Sequence, residues 1–281
     1  MQHWITVILL FALYVGIIFY TINYNLIFQP TKKISKFMID PTTEFIRDGI
    51  WIAHFQFNDK NPTILFCHGN SGNVSNRNYM VRLCQMSGLN LVMFDYSGYG
   101  KSLGNPRTRR ILMDGEKVLD WISTKVEKEK LIIWGESLGG SVASYLASKQ
   151  KCSKLVLFAT FSSLNDLAFG PMTWWKMPIQ AFLNLFVHPL PTKMWVETST
   201  VPTLIVHSKN DELISVDHAR NMKDIDRDRI QLMEIEGGHG TPKLTRQDIK
   251  SIFKFCGIDN FKYVNNCMTI FDNVNKEIWT E

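Results

Sequence analysis

The sequence predicts an α/β fold, a mostly parallel central sheet flanked by helices, and three observations carry that expectation. Short apolar runs recur along the chain: Thr63 to Phe66 (TILF), Leu89 to Phe94 (LNLVMF), Leu131 to Trp134 (LIIW), Leu155 to Phe158 (LVLF) and Thr203 to Val206 (TLIV). Bounded by polar residues or glycine, they suit strands buried on both faces of a parallel sheet. Between them lie helical patterns, with Ile111, Leu112, Gly115, Val118, Leu119 and Ile122 at three- and four-residue spacing, and Leu138 to Ala147 running without proline. Upstream, Asp48-Gly49 divides the apolar, β-branched stretch from Glu44 to Phe57, a pair suited to the positive φ angles of a type I′ hairpin turn. Strands alternating with helices imply a three-layer sandwich whose ligands gather at the carboxyl ends of the strands.

Bulk properties narrow the function. The 281 residues carry a formal net charge of +5, with no Lys/Arg block, so nucleic acid is not an expected partner. Five cysteines (Cys67, Cys84, Cys152, Cys256, Cys267) show neither zinc nor CxxC spacing, and a reducing compartment is the simpler reading. Cys67 falls within an apolar strand run and reads as a buried structural thiol.

No Lys, Arg, Asp or Glu occurs from Met1 to Thr31, and Trp4 to Ile22 is nearly all apolar, close to the ~20 residues of a spanning helix. Trp4, Tyr20 and Tyr24 bracket the apolar centre as interfacial rings do. A cleaved signal peptide fits less well: there is no basic n-region and no small-x-small cleavage site before Lys32. The expected organisation is a membrane anchor over 1–31, with a transmembrane helix at about 4–22, and a catalytic domain over 32–281. Lys32, Lys33 and Lys36 follow the helix and place that domain on the cytoplasmic side. The segment at about 161–200, rich in Trp, Phe and Met, reads either as a helical lid over an acyl pocket, with Trp174 and Trp175 as candidate substrate contacts, or as a helix pair packed on the core.

The chemistry is carried by Gly135-Glu136-Ser137-Leu138-Gly139, a GxSxG placed after one strand run and opening a helix. A strand-to-helix turn of this kind pushes the serine hydroxyl into the open and aims helix N–H groups at a developing oxyanion. Cys67 to Asn73 (CHGNSGN) follows the strand Thr63 to Phe66, where a second oxyanion donor belongs, so the backbone amides of Asn70 and Leu138 are the candidate hole and His68 reads as structural. Asp211, beyond the strand Thr203 to Val206, is the candidate triad acid, with Glu212 the adjacent alternative. His239, on the glycine loop after Ile230 to Ile235, completes the chain order Ser, Asp, His as general base. His54, His188, His207 and His218 have plainer readings as surface, lid, strand-end and helix residues. Asp95 to Ser102 (DYSGYGKS) ends like a phosphate loop, but that pattern needs glycine where Asp95 stands.

On these residues the chain resembles the α/β-hydrolase superfamily, and within it the Bem46-like group that includes α/β-hydrolase domain-containing proteins 13 and 17. The likeness runs from Glu44 to Thr241 through His68-Gly69-Asn70-Ser71-Gly72-Asn73, Asp95-Tyr96-Ser97-Gly98-Tyr99-Gly100, Gly135 to Gly140, Phe161-Ser162-Ser163, Asp211-Glu212 and Gly237-Gly238-His239. Ser208, where the group tends to have glycine, and Gly240-Thr241 after the histidine depart from it. The resemblance implies the α/β-hydrolase fold and a serine hydrolase; the expected reaction cleaves an ester or thioester without metal or organic cofactor, and the membrane segment and apolar insert point to a lipid, an acylglycerol or an acylated protein as substrate. A binding or scaffold protein, or a serine peptidase, on the same fold is the alternative.

Overall fold

A computed structural model describes residues 2–22, 27–170, 177–184 and 187–258. In chain order the elements are α1 (Gln2–Ile22), β1 (Gln29–Pro30), β2 (Thr43–Arg47), β3 (Ile50–Phe55), β4 (Thr63–Cys67), β5 (Ser71–Gly72), α2 (Asn78–Ser87), β6 (Asn90–Phe94), α3 (Thr108–Ile122), β7 (Leu131–Glu136), α4 (Leu138–Ser148) and β8 (Lys154–Phe158). They continue with α5 (Leu164–Phe169), α6 (Met177–Leu183), α7 (Thr192–Thr198), β9 (Thr203–Ser208), α8 (Asp217–Lys223), β10 (Ile230–Gly237), β11 (Pro242–Lys243) and α9 (Arg246–Phe255).

The main sheet has the order β11-β10-β9-β8-β7-β4-β6-β3-β2. Its centre, from β6 through β4, β7, β8 and β9 to β10, is parallel, and β3, β2 and β11 pair antiparallel at the edges. The hairpin turn forms as its sequence requires: Asp48 and Gly49 take φ of 50° and 80° between β2 and β3. Each apolar run becomes a central strand, and alternate side chains feed two cores. Leu65, Cys67 and Ile133 face α3, α4 and α8, while Ile64, Phe66, Ile132 and Trp134 face α2 and α9. Burying a Leu, Ile or Phe side chain of this kind contributes ~1.5–3 kcal/mol. That explains why uninterrupted apolar runs, and not alternating ones, mark this sheet.

The insert divides in its behaviour. In α7, Trp195 and Val196 are buried in the α3/α4 core, the Trp195 ring meets Tyr145 of α4 at 5.1 Å, and the Ser141 and Thr192 hydroxyls are hydrogen-bonded. This part of 161–200 is therefore core packing. Trp174 and Trp175, the lid candidates, lie outside the described residues. So does Cys267, whereas Cys67, Cys84, Cys152 and Cys256 are free and buried, and burial pushes the Cys67 thiol far up, consistent with an inert group.

The amino-terminal segment departs from expectation. Among the described residues no helix is long and apolar enough to cross a membrane, so the expected transmembrane helix is not carried by the structure. The side chains at 16 and 18–22 of α1, and Tyr24, lie outside the described set. Those that are described, from Trp4 to Ile17, leave large apolar groups exposed, Trp4 at 73%. Just before the expected division, Phe28 is buried in the α3/α4 core and β1 pairs in parallel with β5.

Helix α4 approaches the sheet through glycine. A Cβ on Gly139 would lie 2.1 Å from the Cys67 carbonyl oxygen, a backbone atom with no room to move. Gly139→Ala is expected to lower stability by about 2 kcal/mol or more, through overpacking at that contact. Urea denaturation checks it; an unchanged midpoint would mean that α4 can slide away from β4.

Candidate active site

Strand β7 ends and α4 begins at Ser137, whose backbone is forced to φ 51° and ψ −119°. A residue with a Cβ in so sparsely populated a region costs on the order of 1–3 kcal/mol. Hydrogen bonds on both sides hold it there. The Ser137 N–H donates to the Phe158 carbonyl (2.9 Å), and the Ser137 carbonyl accepts from Thr160 Oγ1 (2.8 Å) and the Gly140 N–H (2.9 Å). Ser137 Oγ then stands 3.1 Å from His239 Nε2.

Beyond β9, the Asp211 carboxylate is fixed at both oxygens. Oδ1 accepts from the Leu213 and Ile214 N–H groups (2.9 and 2.7 Å), and Oδ2 lies 2.7 Å from His239 Nδ1. His207, whose sequence reading was strand-end, also faces this carboxylate: its Nε2 is 3.4 Å from Oδ2 and 2.8 Å from the Ile214 carbonyl. Burial by itself would raise the Asp211 carboxyl, but hydrogen bonds from His207, His239 and the Ile214 N–H outweigh it and hold the group well below the usual carboxylate range. Glu212, the alternative acid, takes a different part, since its Oε2 accepts the His239 backbone N–H at 3.0 Å. One carboxylate therefore orients the imidazole and its neighbour fixes the backbone that carries it. Ser208 adds a latch from β9, its hydroxyl donating to the Gly237 carbonyl two residues before His239.

Opposite them lies the loop from His68 to Asn73. His68 is fully buried, Nδ1 2.7 Å from the Gly69 carbonyl and Nε2 3.3 Å from Asp95 Oδ1, in line with its structural reading. Two tyrosines from the segment after β6 pin this loop: Tyr96 OH donates to the His68 carbonyl (2.9 Å) and Tyr99 OH to the Asn70 carbonyl (2.6 Å). Residues after α1 pin it again, through Gln29 N–H to the Asn70 carbonyl (3.1 Å) and Thr31 N–H to the Gly72 carbonyl (3.2 Å). Asn70 lines one cavity with Ser137 and His239, and Leu138 opens α4 directly after the serine. The candidate oxyanion positions thus flank the nucleophile.

That cavity has a volume of ≈ 950 Å³. Beside Ser137 it exposes a cluster that sequence reasoning missed: Tyr79 OH donates to Glu136 Oε2, and Arg77 Nε lies 3.6 Å from the same oxygen. No described residue of 161–200 lines it.

The Asp211 carboxylate makes a pH prediction. A group lowered on folding contributes stability that is present above its unfolded value, about 3.9, and is lost as pH falls toward the folded value. The urea-midpoint gap between the native chain and Asp211→Asn is expected to be full above about pH 4 and to shrink below it. A gap constant down to about pH 3 would count against the assignment.

Comparison with known proteins agrees with this fold. Residues 62–199 match the family model described as alpha/beta hydrolase fold. Alpha/beta hydrolase domain-containing protein 17C of Xenopus tropicalis is 28% identical over 197 residues, covering 69% of this chain and 61% of its own. Protein bem46 of Schizosaccharomyces pombe is 27% identical over 167 residues, 56% of this chain and 53% of its own. Among solved structures, an esterase of Pyrococcus furiosus superposes with a TM-score of 0.61 at 14% identity, covering 89% of this chain and 97% of that one. The sheet order and the match over residues 62–199 agree on the alpha/beta hydrolase fold, and the chain is similar to Bem46 and the 17C protein.

Proposed function

We propose that the chain is a serine hydrolase of carboxylic esters or thioesters, acting on a lipid or an acylated protein. The observation that carries this is the continuous line from Ser137 Oγ through His239 Nε2 (3.1 Å) and His239 Nδ1 to Asp211 Oδ2 (2.7 Å). His239 takes the Ser137 proton as the oxygen attacks the acyl carbonyl, and Asp211 keeps the imidazole in the tautomer that accepts at Nε2. The N–H groups of Asn70 and Leu138 receive the negative oxygen of the tetrahedral intermediate. The imidazolium then protonates the departing alcohol or thiol. Water, activated by the same histidine, cleaves the acyl-enzyme. None of these steps calls on a metal or organic cofactor.

A fluorophosphonate probe is expected to label the native chain and to leave Ser137→Ala unlabelled; equal labelling of both would sink the assignment. His239→Ala is expected to lower kcat by ~10³-fold or more. Glu212→Ala, which frees the backbone but leaves the triad intact, should cost about tenfold.

Helix α1 is proposed to attach the catalytic domain to a membrane, on its cytoplasmic face. Its exposed apolar side chains support this, as does the absence of charged residues before Lys32. The full chain should sediment with membranes, and a chain starting at Ile27 should not. That shortened chain keeps β1 and is expected to label with the probe. One starting at Phe37 has lost the contacts from Gln29 and Thr31 to the loop bearing Asn70 and should label at least about tenfold more slowly.

A further inference from the structure

The cavity that opens at Ser137 and His239 has two chemically different ends. One is apolar: Trp134 and Phe158 line it from the sheet, and Leu244, Ile249, Ile252 and Phe253 from the β11 and α9 side. It runs between α9 and α2, on the face of the sheet away from α4. The other end is polar and carries Arg77, and Lys33, on the segment that follows α1, is also in the lining. A single cavity of ≈ 950 Å³ therefore joins a greasy slot, the candidate nucleophile and a cationic end.

Arg77 is the residue left unexplained by the fold. Its side chain is only 7% exposed, yet among the described residues its Nε has no hydrogen-bond partner, and its guanidinium donates there from Nη2 to the Ser71 carbonyl at 2.9 Å. A guanidinium has five N–H donors, and buried ones are ordinarily matched. Glu136 sits 3.6 Å from Nε, and its nearer oxygen is occupied by the Tyr79 hydroxyl. Glu136 thus balances one charge without satisfying the donors. The positive end of α2, whose opening residues Asn78 and Tyr79 line the cavity, adds to the attraction of the unmatched guanidinium for an anion.

We propose that the cavity takes a single-chain acyl ester whose alcohol part bears an anionic group, with the chain lying between α2 and α9 and the anion against Arg77. The proposal rests on the serine-hydrolase reading and adds its substrate class. In the reaction the ester C–O bond breaks, water supplies OH to the acyl carbon and H to the alcohol oxygen, and a fatty acid and an anionic alcohol leave. The described apolar lining comes from one face of the sheet with α2 and α9, and the proposal places one chain there. Because Gln29, Thr31, Lys33 and Ser35 also line the cavity, its polar end lies on the side from which α1 leaves the domain. An amphiphile with its charge at that end and its tail inward fits this layout.

The test uses the full chain in detergent and measures kcat/KM for palmitoyl esters of glycerol 3-phosphate and of glycerol, and for butyryl esters of both. The phosphate ester is expected to be favoured by at least about tenfold, the gain typical of a charge-assisted pair. Arg77→Gln should bring that ratio close to one, Arg77→Lys should restore part of it, and Ile252→Trp should abolish the preference for palmitoyl over butyryl. Should the Arg77 variants not fold, the native chain still decides: dodecyl phosphate should slow fluorophosphonate labelling of Ser137 at concentrations about tenfold below those needed with dodecanol. Labelling at Ser137 with no preference between phosphate and neutral esters, or with dodecanol the better protector, overturns this inference alone. A chain whose Ser137 is never labelled overturns the hydrolase reading beneath it.

Discussion

The conformation forced on Ser137 is the constraint on which the site depends. A positive φ at a residue with a Cβ is tolerated only where the surroundings leave no alternative, and here they leave none. Strand β7 enters the turn from the middle of the sheet, α4 leaves it pressed against β4, and Gly139 allows that approach because no side chain intervenes. The bonds to the Phe158 carbonyl and from the Thr160 hydroxyl tie the turn to β8 and to the residue beyond Ala159. The strain is thereby spread over three strands and a helix, each held by extensive apolar burial. Relaxing the turn would mean unpacking the centre of the sheet.

Around this fixed point the other groups are held by short-range devices. His239 arrives on a glycine loop with no intrinsic preference for the position it takes, and two consecutive carboxylates fix it, Asp211 at the ring and Glu212 at the backbone. The loop bearing Asn70 is likewise short of internal bonds. It is braced from above and below by Tyr96, Tyr99 and the residues that follow α1. Catalytic geometry held to a fraction of an ångström requires such support, since a loop left to itself would sample many positions.

Much of this was legible because the signals are local. The strand runs, the Asp48-Gly49 hairpin and the sequence around Ser137 each follow from residue type and spacing, and the order of serine, aspartate and histidine follows from the order of strands. What escaped was tertiary. Gln29 and Pro30 form a strand too short to show any periodicity, so nothing in the chain announces their pairing with β5. Arg77, Tyr79 and Glu136 meet only because α2 folds over the end of β7, and no spacing in the chain announces it. Glu212 was read as a rival to Asp211 because both are acidic and adjacent. Only the position of the His239 N–H separates their parts. The aromatic insert was ambiguous for a plain reason: a helix that fills a core and one that covers a ligand use the same side chains, and α7 proves to be of the former kind.

The distance along the chain between Ser137 and His239, 102 residues, has a bearing on biosynthesis. The serine leaves the ribosome well before the histidine, and β10, which carries that histidine, can join the sheet only after β9 has docked. A nascent or truncated polypeptide therefore presents a hydroxyl without its base. On the proposed serine-hydrolase reading, activity is withheld until nearly the whole domain has assembled, and a stalled translation product leaves acyl esters untouched.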